Sequence, residues 1–246
     1  GDQLVAGTDY SFTNTSGVLD IVFLAPGLKK LDANQGKDLI WTIKTTVTSL
    51  GTTDTENGIT SGIIPNKAGV IINNPGTDWV ESPEVTSNWG DVVILKTDGD
   101  GDTVLKDAQF QVFGTEAAAN TCADAVKAAN NSLPAGCDTA IEVSGNKIFT
   151  TGANGVVTIP GLSVGTNDTE EKTYWIVEIV PPAGYLNTVG PTEVTVKAGQ
   201  TTVTDPDLKI TNAQEPPTTL PQTGAMVTKA LLIGAVVLGA GVLVLG

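Results

Sequence analysis

Any chemistry in this chain has to be done without histidine. Its 246 residues hold 13 Lys, no Arg and no His, against 27 Asp and Glu. That excludes Ser/His/Asp and Cys/His nucleophile arrangements as well as histidine metal sites. Three aspartates and two thiols stand out among the remaining candidates. Asp98, Asp100 and Asp102 alternate along Lys96–Thr103 (KTDGDGDT) and could offer several oxygens to a hard cation such as calcium. A bidentate carboxylate is needed eleven positions after the first ligand of such a loop, and Gln109 sits there. A polar, Gly-rich hairpin loop is therefore the better reading, and neither a metal nor a cofactor is expected. Cys122 and Cys137 have 14 residues between them. In an exported protein that pair favours a disulfide over two unrelated thiols, or over a metal pair lacking its other ligands. By the loop-entropy model the crosslink contributes roughly 3 kcal/mol.

The strongest chemical signal lies near the C-terminus, at Leu220, Pro221, Gln222, Thr223 and Gly224. This is an LPxTG sorting signal. A sortase cysteine is expected to attack the Thr223 carbonyl, expel Gly224 and all that follows, and pass the acyl group to an amine on a wall peptide or on another protein. Pro216 and Pro217 keep the approach extended. Behind the motif, Ala230–Gly246 carries 17 residues without a charge. That is close to the ~20 helical residues needed to cross a bilayer core, so residues 226–246 are expected to hold the precursor in the membrane. The usual closing Lys or Arg residues do not appear, and the chain opens at Gly1 without a leader. It reads as a fragment trimmed at both ends.

These groups must be carried by β-structure. A net charge of −14 without Arg makes nucleic acid an improbable partner. Short alternating runs recur at 19–23, 40–48, 69–72, 91–96, 109–113, 147–150, 156–159, 174–180, 193–197 and 208–211. Gly, Asn, Asp and Pro break them, as in β-sandwiches. One helix is expected, from about Thr115 to Asn130. A Gly- and Pro-marked stretch from Asn74 to Gly90 is read as a linker between two domains.

Tyr174–Tyr185 (YWIVEIVPPAGY) resembles the E-box of Gram-positive pilins, Y-x-L-x-E-T-x-A-P-x-G-Y, with Ile176, Ile179 and Pro181 substituted and both tyrosines, Glu178, Pro182 and Gly184 in place. VVILKTD at Val92–Asp98, LKDAQF at Leu105–Phe110 and GVVTIPGL at Gly155–Leu162 are similar to the strands that precede that box in Cna-B-type domains. Ile210-Thr211-Asn212 matches the terminal strand. The chain is thus expected to be all-β, with tandem immunoglobulin-like (Cna-type) sandwiches, one short inserted helix and a C-terminal transmembrane sorting tail. The expected divisions are the C-terminal part of a Cna-A-like middle domain at 1–80, a Cna-B-type domain at 88–214, a sorting linker at 215–224 and the tail at 226–246.

The resemblance implies an intramolecular isopeptide bond from Lys96 on the first strand to Asn212 on the last, assisted by Glu178. The residue types suit that chemistry. A lysine buried among Val and Ile loses its proton and becomes a nucleophile. A buried glutamic acid can hydrogen-bond the Asn212 carbonyl and shuttle protons as ammonia leaves. Alternation supports burial, because Lys96 follows Val92 and Ile94 on one face and Glu178 follows Ile176.

Residues 17–75 resemble the end of a pilin middle domain, where Asn66 in Asn66-Lys67-Ala68 is the candidate partner of a lysine expected before Gly1. No W-x-x-x-V-x-V-Y-P-K string occurs, so no lysine is assigned to linkage between subunits. The function implied is that of a structural subunit of a covalent pilus shaft on a Gram-positive cell wall, and not an enzyme beyond a single self-crosslinking turnover. Its implied partners are sortase, neighbouring subunits, peptidoglycan and, before processing, the membrane. The alternatives are a monomeric wall-anchored adhesin with a ligand-binding domain upstream, or a surface enzyme whose catalytic domain lies upstream.

Overall fold

A computed structural model describes residues 2–45, 47, 49–51, 60–71, 79–129, 135–187, 190–200 and 206–216. The sorting motif at 220–224 and the apolar tail at 226–246 lie outside the described residues. The chain divides between Val47 and Thr48 into two compact units.

In the first unit, β1 (Tyr10–Thr15) and β2 (Val18–Phe23) form an antiparallel hairpin with Tyr10 opposite Phe23 and Thr15 opposite Val18. Ser16 and Gly17 both take positive φ, the requirement of a two-residue turn that matches strand twist. Trp41 and Tyr10 pack edge-to-face, with ring centroids 4.6 Å apart, and Trp41 also approaches Phe23. A helix follows, α1 (Ala25–Ala33), in addition to the single helix expected from about Thr115 to Asn130. Pro26 sits in the first turn, where its missing N–H costs nothing. Gly27 is needed for contact, since a Cβ there would collide with the backbone carbonyl of Asp9. The strand expected at Ile40–Thr48 does not form among its described residues. Ile40 is 80% exposed, and without a neighbouring strand to take up its backbone hydrogen bonds an alternating run has no ladder to join.

The second unit begins with β3 (Ile63–Asn66), β4 (Gly69–Val70) and β5 (Val80–Glu81). It continues with β6 (Val85–Asp98), β7 (Gln109–Phe113), α2 (Glu116–Ala128), β8 (Phe149–Thr150) and β9 (Val156–Thr166). The last strands are β10 (Glu171–Val180), β11 (Thr192–Lys197) and β12 (Leu208–Asn212). One antiparallel sheet runs β11-β10-β7-β8. In a second sheet β6 is the spine: β9 lies antiparallel along one edge, while β3 (antiparallel) and β12 (parallel) divide the opposite edge; β4 and β5 pair separately as a two-stranded antiparallel ribbon. The stretch read as a linker therefore carries β5 and the start of β6. The unit boundary falls upstream of it because β3 hydrogen-bonds to β6.

Alternation sends Val92 and Ile94 of β6, Phe110 and Val112 of β7, Ile159 of β9, Tyr174 and Ile176 of β10 and Ile210 of β12 into one core. Strands β7 and β10 are covered on both faces. Their other face, with Phe113, Val177 and Ile179, packs under Ala119, Cys122, Ala123 and Val126 of α2. Thr115 caps α2, its hydroxyl oxygen accepting the Ala118 N–H, and Glu116 and Lys127 complement the helix dipole at the two ends. Cys122 and Cys137 are disulfide-bonded, with Cα atoms 4.5 Å apart, and tie α2 to its return loop. Among the described residues no helix is long and apolar enough to cross a membrane.

Candidate functional site

Three strands each bring one polar residue inward at the end of an apolar series. Lys96 ends Val92-Ile94-Lys96, Glu178 ends Tyr174-Ile176-Glu178, and Asn212 follows Ile210. Their exposures are 0%, 4% and 2%. Burying an amine, a carboxyl and an amide is costly unless each finds a partner. The parallel pairing of β12 with β6, which sets Ile210 opposite Lys96 and Asn212 opposite Asp98, supplies the partners. Asn212 Nδ2 donates to Glu178 Oε1 and Oε2, each at 2.9 Å. Lys96 Nζ donates to the carbonyls of Thr97 (3.1 Å) and Ile210 (3.2 Å). Burial pulls the Lys96 amine from its ordinary value of 10.5 down to about 8, while Glu178 and Asp98 pull it back up.

This arrangement holds a buried amine of lowered basicity, a carboxamide and a carboxyl together in an apolar core. It differs from expectation in one respect. Glu178 was expected on the Asn212 carbonyl, and it engages the amide nitrogen, the atom that would leave as ammonia.

The other candidates separate from this trio. Asp98 Oδ1 accepts the backbone N–H groups of Gly101, Asp102 and Thr103. Those bonds, the Thr103 N–H foremost, hold its carboxyl below the usual carboxylate value. Its oxygen is thus used to close its own loop, Asp100 and Asp102 are exposed, and no metal-holding acidic group is present among the described residues. Asn66 is exposed at the end of β3, opposite Val85. Its neighbour Lys67 lies 3.8 Å from both Glu81 and Glu84, surface pairs that contribute little.

Two features were not anticipated. Asp9 is fully buried, its Oδ2 accepting from Lys30 Nζ of α1 at 2.6 Å and from the Val5 N–H at 2.8 Å. A lone Asp before a strand carries no sequence signal for that. The second is that the chain after Glu178 turns through Pro181–Tyr185 and pairs with Ala213–Glu215. Tyr185 stands opposite Gln214, Leu186 N–H donates to Ala213 O, and Glu215 N–H donates to Gly184 O, both at 2.9 Å. Pro-Pro-Ala-Gly announces a turn but not its partner.

Comparison with known proteins places the fold, not the individual side chains, among similar domains. Residues 90–209 match the family model of the SpaA prealbumin-like fold domain. The chain is 28% identical over 215 residues to a fimbrial subunit type 2 of Actinomyces naeslundii, covering 76% of this chain and 37% of that protein. It therefore spans little more than a third of that relative's length. Among solved structures it is similar to the Actinomyces fimbrial adhesin FimA, at 25% identity and a TM-score of 0.56, covering 87% of this chain and 77% of that one. It is equally similar to domains D2 and D3 of the major pilin SpaD of Corynebacterium diphtheriae, at 25% identity and a TM-score of 0.55, covering 87% and 78%.

Proposed function

We propose, from the match of residues 90–209 to the SpaA prealbumin-like domain and the similarity of the chain to Gram-positive pilins, that this chain is a structural subunit of a covalently polymerised surface pilus. Its domain is closed by a Lys96–Asn212 isopeptide bond. The observation that carries the reading is the convergence of Lys96, Glu178 and Asn212 in the core of one domain.

The mechanism uses only this chain's own groups. A proton passes from the Lys96 ammonium to the Glu178 carboxylate, which turns a costly buried ion pair into a neutral amine and acid. Lys96 Nζ then attacks Asn212 Cγ. The new Nζ–Cγ bond forms, the Cγ–Nδ2 bond breaks, and Nδ2 departs as ammonia carrying a proton relayed by Glu178, which already contacts that nitrogen. Lysine amine and asparagine amide become one secondary amide and one ammonia.

In the same reading Thr223 supplies the acyl group. Sortase cleaves before Gly224, the tail at 226–246 holds the precursor in the membrane until then, and the Thr223 acyl group is joined to a lysine of the next subunit or finally to peptidoglycan. The deciding experiment is intact mass, which should lie about 17 Da below the sequence value for the lost ammonia, and about 2 Da lower again for the disulfide until reductant is added. A full sequence mass after reduction overturns the bond.

A further inference from the structure

We propose that the segment Pro181–Asn187 is a strap that sets the register of the reacting asparagine, with Asn187 and the Gly184–Leu186 backbone as its positioning elements. The inference rests on the proposed Lys96–Asn212 bond and adds what places Asn212 on Glu178.

Asn212 is the last residue of β12, which has five residues and pairs in parallel with β6 along the edge opposite β9. Strand ends fray, and a register slip of one residue would carry the carboxamide to the opposite face of the sheet. Good alignment of an amine and an amide is worth a large share of such a barrier, and small misplacements are costly. The position of Asn212 must therefore be held from beyond the strand end, and the strap does this. It leaves β10 at an irregularity in the β10/β7 ladder, where Glu178 stands opposite Phe110 and Val180 opposite Gln109, so that Ile179 is extra. It turns at Gly184, whose φ of +83° is a conformation glycine adopts without strain. It then grips Ala213–Glu215 from both sides through the Leu186 and Glu215 N–H groups. On its way back Asn187 Nδ2 donates to the backbone carbonyl of Glu178 at 3.2 Å. One short segment thus holds the backbone of the assisting acid at one end and the residues just beyond the reacting amide at the other.

The test removes one hydrogen-bond donor while leaving all three reacting side chains alone. Glu215→Pro deletes the N–H that reaches Gly184, and Glu215→Ala keeps it. The full chain is made by cell-free synthesis and the species lighter by about 17 Da is followed with time by intact mass. Glu215→Pro should close the bond about 10-fold more slowly or worse, and Glu215→Ala at the wild-type rate. Leu186→Pro, which removes the opposite donor, should repeat the effect. In a Lys96→Met background, which cannot crosslink, Glu215→Pro should leave the unfolding midpoint nearly unchanged, separating positioning from general stability. Wild-type crosslinking rates in both proline variants overturn the strap alone. A slow Glu215→Pro variant whose midpoint collapses in the Lys96→Met background also overturns it, by making the loop a stability element. A wild-type chain that never loses ammonia overturns the bond and the strap together.

Discussion

The amide nitrogen of Asn212 lies 2.9 Å from each carboxylate oxygen of Glu178, although 34 positions separate the two residues in the chain. In the proposed reaction the acid therefore sits on the group that would depart, where a proton is needed for the amide to break. Glu178→Gln keeps the shape and loses the proton relay. It is expected to slow loss of the ~17 Da by about 100-fold or more, measured by intact mass over time, while Glu178→Ala should retain the full sequence mass. Rapid loss of ammonia from Glu178→Gln would show that the carboxyl is not the relay.

Asn212→Ala leaves Lys96 as a free amine in the core, with a pH signature of defined sign. The folded-state value of about 8 lies below the ordinary 10.5. Between those values the unfolded chain binds more protons, so stability should rise with pH from about 8 toward 10.5 and stay flat below about 8, gaining at most ~3 kcal/mol. Urea unfolding across that range checks it, with Asn212→Ala/Lys96→Met as the control that should lose the slope. An identical slope in both variants would assign it to other groups.

Reducing Cys122–Cys137 should free the outer layer and leave the inner core intact, because α2 packs on the far face of β7 and β10 from Lys96. The expected cost is about 3 kcal/mol in the Asn212→Ala background, read from the denaturant midpoint with and without reductant. Mass analysis of the reduced wild-type chain should still find the ammonia missing. If Cys122→Ser abolished that loss, the helix would be coupled to the reaction.

Assembly should respond to a different set of residues. Thr223→Ala is expected to leave the fold intact, abolish covalent polymer on the cell surface and accumulate membrane-held monomer. Lys96→Ala should still polymerise, because in the proposed reading its amine serves the internal bond. Immunoblots of wall extracts run in SDS distinguish the two. High-molecular-weight ladders from the Thr223 variant would contradict the assignment of the acyl donor.

The inward series on β6 was legible because alternation alone puts Lys96 behind Val92 and Ile94, and the same holds for Glu178 behind Ile176. Meeting of the three side chains was not legible from any one segment. It depends on β12 returning parallel to β6, a pairing between residues more than a hundred positions apart that leaves no periodic trace. The run at Ile40–Thr48 shows the reverse failure, since its alternation is real but no neighbouring ladder supports it among the described residues. Helix α1 was hidden by Pro26-Gly27, whose turn-like chemistry is compatible with a first helical turn packed against the Asp9 carbonyl. The pairing of the segment after Glu178 with Ala213–Glu215 was not legible in the sequence, although Pro181-Pro182-Ala183-Gly184 carries turn chemistry.

The disulfide between Cys122 and Cys137 lies wholly within the span from Lys96 to Asn212. If the proposed Lys96–Asn212 amide forms, that span becomes a macrocycle with a smaller cycle nested inside it. A single backbone nick anywhere between the two ends would then open a ring without severing the molecule, and residues before Lys96 would stay joined to the sorting end through the new amide. A chain closed in this way could be cut on the cell surface and still remain one covalent link.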